Sequence, residues 1–142
     1  MKVDKYNMNE EGLNRFFGPL EARIMERVWE TGKASIKEVQ ELLDRESPIS
    51  FNAVMTVMNR LCEKGHLIRL AKQSRGQVSY YSAVQTKEQF LNEQTRVLAD
   101  GLMTDFGALV VNHLIDSLDQ ADPQSIERLE QKLREMKSRG ES

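Results

Sequence analysis

Residues 50–65 read SFNAVMTVMNRLCEKG, and their periodicity decides the fold. Val54, Val57, Met58, Leu61 and Cys62 recur at the spacing that gathers side chains on one face of an α-helix. That face is expected to be buried, with Ser50 as N-cap and Gly65 as the stop. The opposite arc carries Asn52, Thr56, Asn59 and Glu63, flanked by Met55 and Arg60. A merely solvated helix usually turns long Lys and Glu chains outward. Short amides and hydroxyls near a helix N-terminus can instead approach base edges and phosphates closely. The stretch therefore reads as a DNA recognition helix, with Ser50, Asn52, Ala53, Met55, Thr56, Asn59 and Arg60 as candidate contacts. Taken alone, it is also compatible with a core helix that has a polar back.

Working upstream, Ser35 and Glu38 form an S-x-x-E capping box that starts a helix at Ile36. Ile36, Val39, Leu42 and Leu43 supply its apolar face, and Ser47, Pro48 and Ser50 break the chain before the recognition helix. A further helix is expected before it, with Gly18 at the cap and Pro19 at the first helical position, where the missing N–H costs nothing. Leu20, Ile24 and Val28 repeat every turn, Met25 and Trp29 widen the stripe, and Gly32 ends it. Two short helices, a tight polar connection and a third helix with a polar outer face make a helix-turn-helix. Residues 1–17 show no sustained period and are expected to be a flexible N-terminal arm.

Downstream of Gly65 the period changes. Residues 67–70 (LIRL) and 78–84 (VSYYSAV) are β-prone runs separated by AKQSRGQ. A basic hairpin beside a recognition helix is the wing of a winged helix, and Lys72 and Arg75 are its candidate phosphate contacts. A plain hairpin edge with solvated charges is the competing reading.

The remainder is helical. Thr86 and Gln89 form a second capping box, ahead of Phe90, Leu91, Val97, Leu98 and Leu102. Phe106, Leu109, Val110, His113, Leu114 and Leu118 make a second stripe, and Asp122 with Pro123 starts a helix bearing Ile126, Leu129, Leu133 and Met136. Three amphipathic helices in so short a segment have little core of their own, so a second copy of the chain is expected to cover them. Phe90, Leu98, Phe106, Val110, Leu114, Leu129 and Leu133 are the candidate dimerisation residues. The fold class expected is thus mainly α with a small β-hairpin: an arm (1–17), a winged helix-turn-helix (18–84) and a three-helix dimerisation domain (85–142).

Charge supports this division. The net charge of the chain is −2, but residues 1–83 hold 13 basic and 11 acidic residues, +2, against 7 and 11 in residues 84–142, −4. One end suits phosphates and the other suits protein. Neither a run of about 18 apolar residues nor a basic segment followed by an apolar one occurs, so no membrane span or signal peptide is expected, and the cytosol is the expected compartment. The one cysteine, Cys62, lies on the apolar face and is expected to be a small core residue. Glycine-rich phosphate loop, nucleophile elbow, H-E-x-x-H and paired Cys and His at metal spacing are all missing from the sequence, so neither catalysis nor a cofactor nor a metal is expected.

With LEARIMERVWETGKASIKEVQELL, SFNAVMTVMNRLCEKGHLIR and the run ending in YYSAV, the chain resembles the penicillinase repressor family of the BlaI, MecI and CopY type. The resemblance is close over residues 18–84, where it includes V-M-T-V-x-x-R-L-x-x-K-G at 54–65, and looser over the tail. It implies a bacterial homodimeric repressor that binds double-stranded, palindromic operator DNA. Penicillinase-type members are inactivated by a sensor protease at an Asn-Phe bond; the matching position here departs from the pattern and reads Asn112-His113. Copper-responsive members end in a C-x-C motif, which this C-terminus lacks. The alternative function is a winged helix used as a protein-interaction module, since one fold serves several functions.

Overall fold

The computed structural model describes residue 3, residues 5–72 and residues 74–140. Five α-helices and a two-stranded antiparallel sheet follow in the order α1 (Pro19–Thr31), α2 (Ile36–Asp44), α3 (Phe51–Glu63), β1 (Leu67–Arg69), β2 (Tyr81–Ala83), α4 (Lys87–Asp116) and α5 (Pro123–Ser138). Short 3-10 turns lie at Gly12–Arg15 and Leu118–Gln120. The chain divides into two compact units, Met1–Thr95 and Arg96–Ser142.

The first unit is a winged helix. Its helix starts follow the caps: the Gly18 N–H donates to the Glu21 carboxylate at 3.0 Å, the Ser35 hydroxyl accepts from the Glu38 N–H at 3.1 Å, and the Ser50 hydroxyl accepts from the Ala53 N–H at 3.1 Å. Between α2 and α3 the Asp44 carboxylate accepts from the Ile49 N–H at 2.9 Å, while the Gln40 amide donates to the Ile49 carbonyl at 3.0 Å. Both backbone groups of Ile49 are therefore held by side chains of α2. At the end of α3, Gly65 takes a φ of 82°, which lets the His66 N–H reach back to the Leu61 carbonyl at 2.9 Å.

Ile24, Met25, Val28, Val39, Leu43, Val54, Met58 and Leu61 fill the core between the three helices. The wing is shorter than the β-prone runs. Leu67, Ile68 and Arg69 pair with Ala83, Ser82 and Tyr81, and one further bond, from the Leu70 N–H to the Tyr80 carbonyl at 2.8 Å, extends the pairing. Beyond it Val78 is 62% exposed with no core to pack on, and Gly76 turns the loop at a φ of 84°. The ladder has a third member that the sequence does not announce: Ala34 bridges Tyr81 through two backbone bonds of 3.0 and 2.9 Å, tying the α1–α2 connection to the wing.

Two expectations are corrected here. Residues 5–17 fold back as a turn rather than trailing as an open arm; of the proposed arm, residues 1, 2 and 4 lie outside the described residues. The Asn7 N–H donates to the Arg15 carbonyl at 2.7 Å, Arg15 donates to the Tyr6 hydroxyl at 2.8 Å, and Phe17 is buried. The boundary also moves from 84/85 to 95/96, because the first two turns of α4 belong to the winged-helix core. Phe90 is 0% exposed, stacked on Phe17 with 4.9 Å between ring centres and met edge-on by Phe16 and His66. Trp29, half-buried beside it, donates its indole N–H to the Gln85 carbonyl at 2.9 Å. Aromatic burial of this size outweighs any local preference of the segment.

The second unit differs in kind. The two helices expected for residues 86–118 are the two arms of α4, which part at Phe106, where a φ of −136° and ψ of 27° leave the helical region just before Gly107. None of the residues 96–140 is buried. Phe106, Leu109, Val110, Val111, Leu114 and Ile115 occupy more than half of the circumference of the second arm of α4 at 100° per residue, an apolar surface wider than a single stripe. In α5, Ile126, Leu129, Leu133 and Met136 keep the one-sided pattern expected.

Candidate nucleic-acid interface

On α3 the buried residues Val54, Val57, Met58 and Leu61 set the rotation of the helix, so the remaining positions must face outward. Ser50, Asn52, Thr56 and Arg60 are exposed, and Ala53, Met55 and Asn59 are half-buried around them. The outer face at the N-terminal end is thus polar, uncharged and short, with the positive end of the helix dipole beneath it. Cys62 lies at the rim of the core, half-buried rather than enclosed, and burial pushes its thiol up, with Arg69 opposing and Glu63 adding to the effect.

Cations of the first unit fall into two groups. Arg23 and Arg27 bind Glu46, Arg27 also binds Glu30 at 2.8 Å, Lys64 binds Glu21 at 3.2 Å and Lys87 binds Glu26 at 2.7 Å. The Glu30 hydrogen bond, with the Glu46 charge added, holds the Arg27 guanidinium above its ordinary range. These cations are neutralised within the chain. Among the described residues Lys5, Arg15, Lys33, Lys37, Arg45, Arg60, Arg69, Lys72 and Arg75 make no ion pair; of these Lys33, Arg60, Lys72 and Arg75, all exposed, stand on the α1–α2 connection, on α3 and on the wing loop. An unneutralised cation can release counterions from a phosphate backbone, whereas a paired one must first give up its partner.

Lys72 and Arg75 stand on the wing loop, as expected. Lys33 was not singled out by the sequence, because a lone lysine in a four-residue connection carries no pattern. Its ammonium lies 5.4 Å from the centre of the Tyr80 ring, and it shares a cleft of about 440 Å³ with Leu70, Lys72, Gln77, Val78 and Tyr80.

Of the residues assigned to dimerisation, Phe90 is in the wrong place for that role: it is enclosed in the first unit, where Phe17 and Trp29 cover it. Phe106, Leu114, Leu129 and Leu133 are exposed, and Leu98 and Val110 half-buried. Asn112 and His113 are both exposed on α4. Among the described residues no group of three or more His, Cys, Asp or Glu could hold a metal ion, and no helix is long and apolar enough to cross a membrane.

A model of the penicillinase repressor family matches residues 17–135. No curated protein matches the chain. Among solved structures it is similar to the DNA-binding domain of the repressor BlaI, with 22% identity and a TM-score of 0.44 over 55% of this chain and 90% of that one. It is similar to the adhesin competence repressor AdcR from Streptococcus pyogenes, with 15% identity and a TM-score of 0.46 over 94% and 86%. It is also similar to a mutant of MarR from E. coli, with 13% identity and a TM-score of 0.45 over 84% and 77%. The family match runs from the residue that caps the Phe90 ring through the helix-turn-helix and wing and into α5, and on that match the chain belongs to the penicillinase repressor family of transcriptional repressors.

Proposed function

We propose that the protein represses transcription as a homodimer bound to a palindromic operator, each copy laying α3 in the major groove and its wing along the backbone. The observation that carries this reading is the outer face of α3: Asn52 and Thr56 exposed on a helix whose other side is locked into the core. Asn52 and Thr56 contact base edges, Met55 meets a thymine methyl, and Ser50, Ala53 and Asn59 lie close enough to the same groove to fix register. Arg60, further along the helix, takes a phosphate, as do Lys72 and Arg75 on the wing.

Homodimerisation is supported by the unburied apolar residues of the second unit. One winged helix reads only a few base pairs, and two joined copies read twice as many with nearly multiplied affinity. Residues 96–140 pair with the same residues of a second copy, with Leu98, Phe106, Val110, Leu114, Leu129 and Leu133 in the contact. Whatever signal relieves repression acts by loosening this unit or the link at residues 84–86. Proteolysis by a sensor protease at Asn112-His113 is one such route.

The test is selection of bound DNA by the purified protein, followed by titration of the recovered operator and a random duplex with Asn52→Ala and Thr56→Ala. Removing a side chain that reads a base costs about 1–3 kcal/mol on the operator and much less on random DNA. Equal weakening on both duplexes would move these residues to the backbone, and recovery of no preferred sequence would favour a protein-interaction module.

A further inference from the structure

The cleft at the base of the wing has a composition that the recognition helix does not explain. Lys33 lines it from the α1–α2 connection and Lys72 from the wing loop, and among the described residues no Asp or Glu lines it. Lys33 and Lys72 both line the cleft, whereas the same unit pairs Arg23, Arg27, Lys64 and Lys87 with glutamates. The position of Lys33 is not left to chance. Ala34, its neighbour, is clamped to Tyr81 by two backbone hydrogen bonds, and the ring of Tyr80, the next residue along, faces the Lys33 ammonium at 5.4 Å. A cation held over an aromatic face keeps its charge and its three donors available to an anion on the other side.

We propose that Lys33 and Lys72 together seat one backbone phosphate of the DNA duplex, with Tyr80 as the positioning residue that holds the Lys33 ammonium at the cleft. This rests on the DNA-binding reading and deepens it. The α1–α2 connection becomes a phosphate contact separate from both α3 and the wing tip, and it is coupled to the wing through the Ala34–Tyr81 bridge. A phosphodiester suits the cleft because it carries one charge and lies on a rigid backbone that α3 has already brought into register. A free phosphate ion offers the same chemistry without that register.

The experiment is a salt series with the full chain, on a selected operator and on a random duplex. Lys33→Gln should lower affinity by the same factor on both and reduce the slope of log K against log salt by about 0.9, one phosphate contact. Tyr80→Leu should reproduce part of that effect, and Tyr80→Phe, which keeps the ring, should restore binding. Lys33 is exposed, so its substitution leaves the fold intact. An unchanged slope in Lys33→Gln would overturn the seat, and equal weakening in Tyr80→Leu and Tyr80→Phe would overturn the positioning role. Inorganic phosphate, titrated without DNA while the Lys33 amide is followed by NMR, should give no saturable shift; a saturable shift with an unchanged salt slope would assign the cleft to a free anion. Operator preference of the parent is read separately in the same titrations. Its loss alone would sink the repressor reading while the slope on random DNA still decides the seat.

Discussion

The winged-helix unit encloses Ile24, Met25, Val28, Met58, Leu61 and Phe90 completely, whereas Phe106, Leu109, Leu114 and Ile115 in the second unit each remain more than half exposed. Both regions are rich in apolar helix. They differ in whether the chain supplies the other side of the contact. In the first unit three helices, a sheet and the turn at residues 5–17 converge on one interior, so its sequence is sufficient for its core. In the second, Phe106, Leu109, Val111, Leu114 and Ile115 all stay exposed along one arm of α4, and exposed apolar side chains gathered in this way mark interaction surfaces. In the homodimer proposed above, this surface is where a second copy would sit, joining two reading heads.

The sharpest way to break this comparison is to charge the second unit and watch the first. Leu114, 59% exposed, becomes in Leu114→Asp a buried unpaired ion if a second copy covers it, a loss of about 3–5 kcal/mol in association. Operator affinity should then fall toward the non-specific level, about a thousandfold or more. The winged helix should keep its circular dichroism and its unfolding transition, since residue 114 has no part in its core. Sedimentation with operator titration checks both halves of the expectation.

A smaller effect separates two phenylalanines of the same helix. Phe90→Ala should destabilise the winged-helix unit by about 3–5 kcal/mol in urea unfolding, the usual cost of emptying an aromatic core site. Phe106→Ala, at a side chain 55% exposed in the chain, should leave that transition in place and weaken association instead. Reversal of the two outcomes would mean that the boundary at residues 95/96 is misplaced.

Next in size is the cap of the recognition helix. Ser50→Ala removes the acceptor for the Ala53 N–H and should cost about 1 kcal/mol of stability in the first unit, with no change in the sedimentation coefficient. The smallest effect concerns the thiol. Because burial raises its pKa, less Cys62 is thiolate near pH 8 in the folded chain than in the unfolded one, and alkylation should be slower by a few-fold in the absence of urea.

How much of this was legible depends on the kind of signal each residue carries. Ser35, Ser50, Pro19 and Gly65 mark helix ends by local chemistry, and α1, α2 and α3 begin and end where those residues require. The rotation of α3, and with it the exposure of Asn52 and Thr56, follows from the spacing of Val54, Val57, Met58 and Leu61. Phe90 was misassigned because an apolar stripe tells which face of a helix is buried and not against which partner. Residues 5–17 escaped because a turn that packs Tyr6, Phe16 and Phe17 has no repeat to detect, and Ala34 because a one-residue bridge has none either. Lys33 acquires meaning only when the sheet brings Tyr80 and Lys72 beside it. Long-range pairing, unlike caps and period, is not written in neighbouring residues.

We propose that residues 96–140 find their core in a second copy of the chain. Sedimentation equilibrium of the intact protein, at concentrations spanning the operator-binding range, tests it most directly. The expected result is a species of twice the 16.4 kDa chain mass that dissociates only on dilution well below that range. A single species of 16.4 kDa that nevertheless binds the full palindrome as tightly as a repressor must would contradict it.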